Sequence, residues 1–164
     1  MKIGILSDTH GSLPQYFQDE LKTCDYLIHA GDIGTEKCYN TLKSMNIPLY
    51  MIRGNCDLGQ WARYLPQTLS FIIGGVTFYL IHNLADLPYP FPEADVIICG
   101  HTHAATTQTR RGTLILNPGS AGKPRTGQSS IAIMTIQDQP DAPDTTDTLT
   151  ELNTPNIQYT FLRQ

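Results

Sequence analysis

Apolar runs that stop at glycine and polar residues recur along the first third of the chain. Residues 2–7 are mostly apolar and end in polar residues, the pattern of a strand buried on both faces, and Asp8 falls at its C-terminal end. Residues 14–23 carry Phe17 and Leu21, with Leu13 before them, at helical spacing, and Ser12 is the candidate N-cap. Tyr26-Leu27-Ile28-His29-Ala30 is a second run, closed by Gly31-Asp32. Residues 35–44 have helical composition, and residues 48–53 predict a third strand, closed by Gly54-Asn55-Cys56-Asp57. Strand, helix, strand, helix, strand in that order predicts a parallel sheet with right-handed crossovers.

After Pro66 the pattern shifts to closely spaced strands. Residues 68–73 and 76–81 flank Gly74-Gly75 as a hairpin, and the second ends at His82. Residues 95–99 lead into Gly100-His101-Thr102-His103. Residues 106–110 and 113–116 flank Arg111-Gly112 as another hairpin, and residues 129–136 and 157–162 predict two further strands. Between those last two, residues 137–148 are rich in Asp, Pro and Thr, which predicts a mobile acidic loop. The fold class is α/β, and there is no internal repeat.

At 164 residues the chain has the size of one domain, expected to span residues 1–164. The formal net charge is −4, and no basic cluster is longer than Arg110-Arg111, so there is no footprint for stable binding of duplex DNA or an anionic membrane. The first residues lack the apolar stretch of a signal peptide and no segment approaches a membrane span, so the expected location is cytoplasmic. Cys24, Cys38, Cys56 and Cys99 form no CxxC pair and are expected to be reduced thiols.

The candidate chemistry sits where the apolar runs end. Asp8, His10, Asp32, Asn55, His82, His101 and His103 are all metal-ligand types at or just after predicted strand termini. An isolated His-x-His is as well explained by a surface turn. In an open parallel sheet, however, ligands gather outside the carboxyl ends of the strands, so residues far apart in sequence can converge on one crevice. Seven ligands suffice for two ions. Their mix of carboxylate, imidazole and amide oxygen favours Mn²⁺, Fe²⁺, Zn²⁺, Co²⁺ or Ni²⁺ over Ca²⁺ or a thiolate site. Two ions roughly 3.5–4 Å apart suit in-line displacement at phosphorus, and Asp32, after a glycine in a tight turn, is the candidate bridge, presenting its two oxygens to two ions.

Asp8-Thr9-His10, Gly31-Asp32, Gly54-Asn55-Cys56-Asp57, His82 and Gly100-His101-Thr102-His103, in that order, resemble the calcineurin-like metallophosphoesterases. The resemblance is to their small bacterial and archaeal phosphodiesterase branch, related to the retromer subunit Vps29, and runs from Met1 to about Ile136. Asn117-Pro118-Gly119-Ser120 and Pro124-Arg125 also look like that branch. The resemblance implies a four-layer α/β/β/α sandwich of two mixed sheets, the metallo-dependent phosphatase fold. It implies a first metal on Asp8, His10, Asp32 and His103 and a second on Asp32, Asn55, His82 and His101, with manganese foremost and Fe, Zn, Ni or Co as alternatives. The nucleophile it implies is a metal-bridging hydroxide, through which Asp32, Asn55 and His82 would be catalytic.

Three departures from the family pattern matter. Cys56 stands where larger members have a histidine that protonates the leaving group, and a thiol with a pKa near ~8.5 is a poor general acid. A preference for diesters with acidic leaving groups follows. Asn83-Leu84-Ala85 replaces the usual glycine and His or Asp after His82. Pro88-Tyr89-Pro90-Phe91-Pro92 replaces a helix, and its rings either line a cleft or pack on the core.

Of the remaining polar groups, His29 is expected to be structural. Asp57 either orients a ligand or caps a turn, and Arg125 either clamps a substrate phosphate or is simply solvated. Tyr26, Tyr50, Phe71, Phe78 and Tyr79 are expected in the core. Three functions compete: a dinuclear phosphodiesterase acting on a small-molecule diester, a catalytically silent protein-interaction scaffold of the retromer type, and a nuclease. The complete ligand set favours the first, and the lack of a basic stripe counts against the third. Edge strands of the second sheet offer a route to a homo-oligomer.

Overall fold

The computed structural model describes residues 1–125, 127–137 and 156–164. Along the chain run β1 (Lys2–Leu6), α1 (Gln15–Leu21), β2 (Tyr26–His29), α2 (Glu36–Lys43), β3 (Leu49–Met51), β4 (Thr68–Ile73) and β5 (Val76–Ile81). They are followed by β6 (Val96–Ile98), β7 (Ala105–Arg110), β8 (Thr113–Pro118), β9 (Ser130–Gln137) and β10 (Asn156–Arg163). Gln137, expected in the acidic loop, ends β9, and residues 138–148 of that loop lie outside the described residues.

The strands form two mixed five-stranded sheets, ordered β10-β9-β1-β2-β3 and β4-β5-β6-β8-β7. β1, β2 and β3 are parallel, as the alternation of strands and helices predicts, and β9 and β10 join antiparallel. In the second sheet β5, β6 and β8 are parallel, with antiparallel β4 and β7 at the edges.

The period of two along each strand sorts the side chains by layer. Ile3, Ile5, Ile28 and Ala30 of the first sheet face Phe78, Leu80, Val96, Ile98 and Leu116 of the second, all buried. Leu6 and Leu27 point the other way, onto Phe17 and Leu21 of α1 and Leu42 of α2. The fourth layer is thin. Ile81, Ile97, Cys99 and Ile115 are covered by Leu84, Leu87, Phe91 and Ala94, from a 3₁₀ turn at Leu84–Asp86 and the proline-rich segment after it. Alternating prolines remove the donors a helix needs. Phe91 packs on this face, with the Arg110 guanidinium 5.3 Å from its ring, while Tyr89 is 97% exposed. The ring of Phe91 therefore belongs to the packing and that of Tyr89 to solvent.

One boundary differs from the pattern. α1 starts at Gln15 with Pro14 in the capping position and no side-chain cap, because Ser12 is engaged in a turn, its N–H donating to Thr9 O at 2.8 Å. α2 is capped as its sequence predicts, Thr35 Oγ1 accepting from Cys38 N–H at 3.2 Å. No helix among the described residues is long and apolar enough to cross a membrane. All four cysteines are free.

Candidate metal centre

Five parallel strands, three from one sheet and two from the other, end at the same edge of the sandwich. β1 leads to Asp8 and His10, β2 to Asp32, β3 to Asn55, β5 to His82, and β6 to His101 and His103. The turns are tied to one another by backbone bonds: Asp8 N–H to Gly31 O at 3.0 Å, His10 N–H to Asp32 O at 3.0 Å, Gly100 N–H to His82 O at 2.9 Å. Asp8 Oδ2 accepts from His101 N–H at 3.0 Å, crossing between the sheets.

Holding the side chains inward strains the backbone. Seven described residues other than glycine have positive φ, and five of them are Asp8, His10, Asp32, His101 and His103. Each such conformation costs on the order of 1–3 kcal/mol and persists only where its surroundings over-determine it, which is typical of functional sites.

The ligand atoms converge. His103 Nε2 lies 3.4 Å and His10 Nε2 3.8 Å from Asp8 Oδ1, and the two Nε2 atoms are 3.2 Å apart. His82 Nε2 lies 3.4 Å and His10 Nε2 3.9 Å from Asp32 Oδ2. Three overlapping sets, Asp8–His10–His103, His10–Asp32–Cys56 and Asp8–Asp32–His82, each bring their ligand atoms within 4.8 Å of one another. Asp32 Oδ1 accepts the Cys56 N–H at 2.8 Å, so the oxygen facing both His10 and His82 is Oδ2 alone. Asn55 and His101 lie at the rim, where Asn55 Oδ1 accepts from His101 Nδ1 at 3.0 Å; the His101 ring is edge-on to His82 at 5.3 Å.

Backbone carbonyls set the imidazole tautomers. His82 Nδ1–H donates to Ala30 O at 2.7 Å and His103 Nδ1–H to Lys123 O at 3.2 Å, which leaves each Nε2 as a bare lone pair aimed into the cluster. Two buried polar atoms, Asp8 Oδ1 and His82 Nε2, have no hydrogen-bond partner among the described residues. An acceptor oxygen and acceptor nitrogens without donors, turned toward one another, are stabilised by a cation between them, so the donor set fits a metal.

Charge in the cluster follows from its packing. Burial alone would raise the Asp32 carboxyl, but the His82 imidazole beside it and the hydrogen bond from the Cys56 N–H outweigh it and hold the group well below the usual carboxylate range. Burial lowers His82, and its contacts with Asp32 and Ala30 raise it on balance. Burial lowers His103, and the neighbouring His10 and Arg125 add to this, against the pull of Asp8. Partial burial and the Asp32 carboxylate push the exposed Cys56 thiol up to about 11.

The supporting residues take defined places. His29 is buried; its Nδ1 accepts from Gly31 N–H at 3.2 Å, so Nε2–H donates to Thr9 Oγ1 at 3.0 Å, and that hydroxyl donates to Ile33 O at 3.1 Å. This chain ties the turn between Asp8 and His10 to the turn at Asp32. Asp57 both caps and orients, accepting from Gly54 N–H at 2.9 Å and Gly34 N–H at 2.7 Å.

Two clefts border the cluster. One of about 430 Å³ is lined by Arg53, Asn55, Gln67, His82, Asp86 and His101. The other, about 320 Å³, is lined by His103, Arg125, Gln128 and Arg163. Beyond the metal-ligand candidates, the sequence pointed to Arg125 but not to Arg53, Gln67, Asp86, Gln128 or Arg163. Arg53, one residue before Gly54-Asn55, was within reach of the strand-end signal, whereas Arg163 reaches the cleft only because β10 lies beside β9.

Comparison with known proteins agrees with this geometry. The model of the calcineurin-like phosphoesterase superfamily domain matches residues 1–139. The chain belongs to that superfamily. It is 31% identical over 159 residues to a probable metallophosphoesterase of Methanocaldococcus jannaschii, covering 87% of this chain and 79% of the relative. A phosphodiesterase of the same archaeon is 28% identical over 155 residues, covering 82% and 92%. Vps29 of Chaetomium thermophilum has the same fold, with a TM-score of 0.73 at 18% identity over 99% of this chain and 97% of that one. The superfamily and its relatives make this chain a metal-dependent phosphoesterase.

Proposed function

We propose that the protein is a dinuclear phosphodiesterase acting on a small-molecule diester, with Mn²⁺ as its first-choice metal and Fe, Zn, Ni or Co as alternatives. The observation that carries this is the convergence of Asp8, His10, Asp32, His82 and His103, with Asp8 Oδ1 and His82 Nε2 buried and unpartnered. Asp8, His10, Asp32 and His103 would hold one ion, and Asp32, Asn55, His82 and His101 the other. Bound there, two divalent ions supply charge neutralisation at the phosphoryl oxygens and lower the pKa of water.

The chain's own residues do the rest. Asp32 Oδ2, facing His10 on one side and His82 on the other, fixes the spacing of the two sites. The Ala30 and Lys123 carbonyls hold the proton of neutral His82 and His103 on Nδ1, so that Nε2 carries the lone pair. Asn55, exposed at the rim beside the 430 Å³ cleft, orients the ester there, and Arg125 faces substrate beside His103. No side chain with an ordinary acidic pKa stands in the general-acid position, which Cys56 occupies, so the leaving group departs with little protein assistance. Four free cysteines suit a cytoplasmic location, and a net charge of −4 argues against nucleic acid as substrate. Pairing of edge strands between copies is part of the same proposal.

The test is hydrolysis of bis(p-nitrophenyl) phosphate by metal-stripped protein, with and without Mn²⁺, beside an Asp32→Ala control. Mn²⁺-dependent turnover that the substitution abolishes is expected. No turnover with Mn²⁺, Co²⁺, Ni²⁺ or Zn²⁺ would overturn the reading in favour of a protein-interaction scaffold.

A further inference from the structure

The two clefts that border the cluster share no lining residue and differ in charge. The larger holds Arg53 together with Asp86, so its formal charges cancel, and Ile81 adds an apolar wall. The smaller holds Arg125 and Arg163 and, among the described residues, no carboxylate. Neither guanidinium makes a hydrogen bond or ion pair among the described residues; Arg163 only stacks its charge at 6.0 Å from the Phe161 ring. Two guanidiniums without an ion pair among the described residues thus share one cleft next to His103.

Topology builds this pair. Arg125 lies on the connection between β8 and β9, while Arg163 ends β10, whose register sets it opposite Ser130 at the start of β9. Both therefore flank the base of the same connection, and Thr102 and His103 close the cleft on the cluster side. Guanidinium forks bind carboxylate and phosphate oxygens two at a time.

A phosphodiester has two arms, and its scissile phosphorus at the cluster would send one toward each cleft. The geometry points to a substrate in which one arm carries an additional anionic group, a phosphate or a carboxylate, held by Arg125 and Arg163, while the other arm is uncharged overall and enters the cleft of Arg53 and Asp86. This rests on the phosphodiesterase reading and names its substrate class.

Matched p-nitrophenyl phosphodiesters test it, with the second arm propyl, 3-carboxypropyl, 3-phosphopropyl or 3-ammoniopropyl. The Mn²⁺-loaded protein is expected to prefer an anionic arm over propyl by roughly tenfold in kcat/KM, the scale of charge-assisted contacts at a partly exposed site. The carboxylate and phosphate arms, compared with each other, identify which anion is meant. In Arg125→Ala/Arg163→Gln that ratio falls to about one, and in Arg163→Glu the ammonium arm overtakes the anionic one. A ratio near one in the native protein, or one that survives these substitutions, overturns the inference. If none of the diesters nor bis(p-nitrophenyl) phosphate is hydrolysed, the phosphodiesterase reading fails on its own. Titration of the metal-free protein with inorganic phosphate then decides the subsite: binding that the double substitution abolishes sustains it, and absence of binding overturns it.

Discussion

At the scale of single residues, the site is governed by which atoms carry protons. Cys56 occupies the place of a general acid, yet its thiol, pushed up to about 11 by partial burial and the Asp32 carboxylate, gives up a proton reluctantly. The rate should therefore depend steeply on how well the leaving group carries its own charge. Aryl esters are expected to exceed alkyl esters by several orders of magnitude in kcat/KM, since positioned acid catalysis is worth about 10²–10⁴-fold and a thiol held this high is a poor source of it. A flat plot of log kcat/KM against leaving-group pKa would show that some group does protonate it. His29 makes the second prediction. Burial holds it neutral, its pKa lowered to about 3 from the ordinary 6.5. Between those values the unfolded chain binds a proton that the folded chain does not, so stability is full above the upper value and falls as pH drops through the window. The slope from this residue is up to about 1.4 kcal/mol per pH unit. Urea unfolding of metal-free protein at pH 6.5 and 5.5 should show His29→Gln losing about 1 kcal/mol less than the native chain over that unit. Equal losses would mean that the imidazole titrates normally.

Among elements, what matters is how closely the strand-end turns are packed. A Cβ added at Gly54 would run into the backbone nitrogen and the carboxylate of Asp32. Backbone cannot swing aside as a flexible side chain would, so Gly54→Ala should displace Asp32 while leaving the sheets intact. The expected outcome is metal affinity lowered by about 10–100-fold, read by calorimetry, with an unchanged far-ultraviolet spectrum. Retained affinity would show that the turn has slack the packing does not reveal. This scale also separates what was legible in the sequence from what was not. The strands and both hairpins were legible because period two and glycine turns are local signals, and the ligands because each ends an apolar run. The α1 start at Gln15 instead of behind Ser12 was not, since the competing turn depends on Thr9. The tautomer-setting acceptors at Ala30 and Lys123 are backbone carbonyls, which no residue type advertises. Arg163 was hidden because its neighbours come from sheet order, and the turning of Asp32 Oδ2 alone toward His10 and His82 because Oδ1 is taken by the Cys56 N–H.

For the molecule as a whole, the cluster is where the two sheets are joined by polar chemistry. Asp8, His10, Asp32 and Asn55 come from the ends of strands in one sheet, and His82, His101 and His103 from the other. Without a cation, buried Asp8 and Asp32 oxygens and bare imidazole nitrogens face one another, and five left-handed backbone conformations are held against their own preference. A cation bound by ligands from both sheets stabilises the folded chain and not the unfolded one, in which the ligands are scattered over nearly a hundred residues. At a hundredfold excess over the dissociation constant, one site adds about 2.7 kcal/mol. For a chain of this size that amounts to an increase in Tm of about 5–10 °C per site. Scanning calorimetry in chelator and in Mn²⁺ should show this increase, and Asp32→Asn, which removes the shared charge, should lose most of it. Because metals bind through deprotonated groups, the increase should also shrink on going from pH 7.5 to pH 5.5, as the imidazoles bind protons in competition with the ions. A Tm indifferent to metal at both pH values would mean that the ligands do not act together across the two sheets, and the dinuclear reading would fall with it.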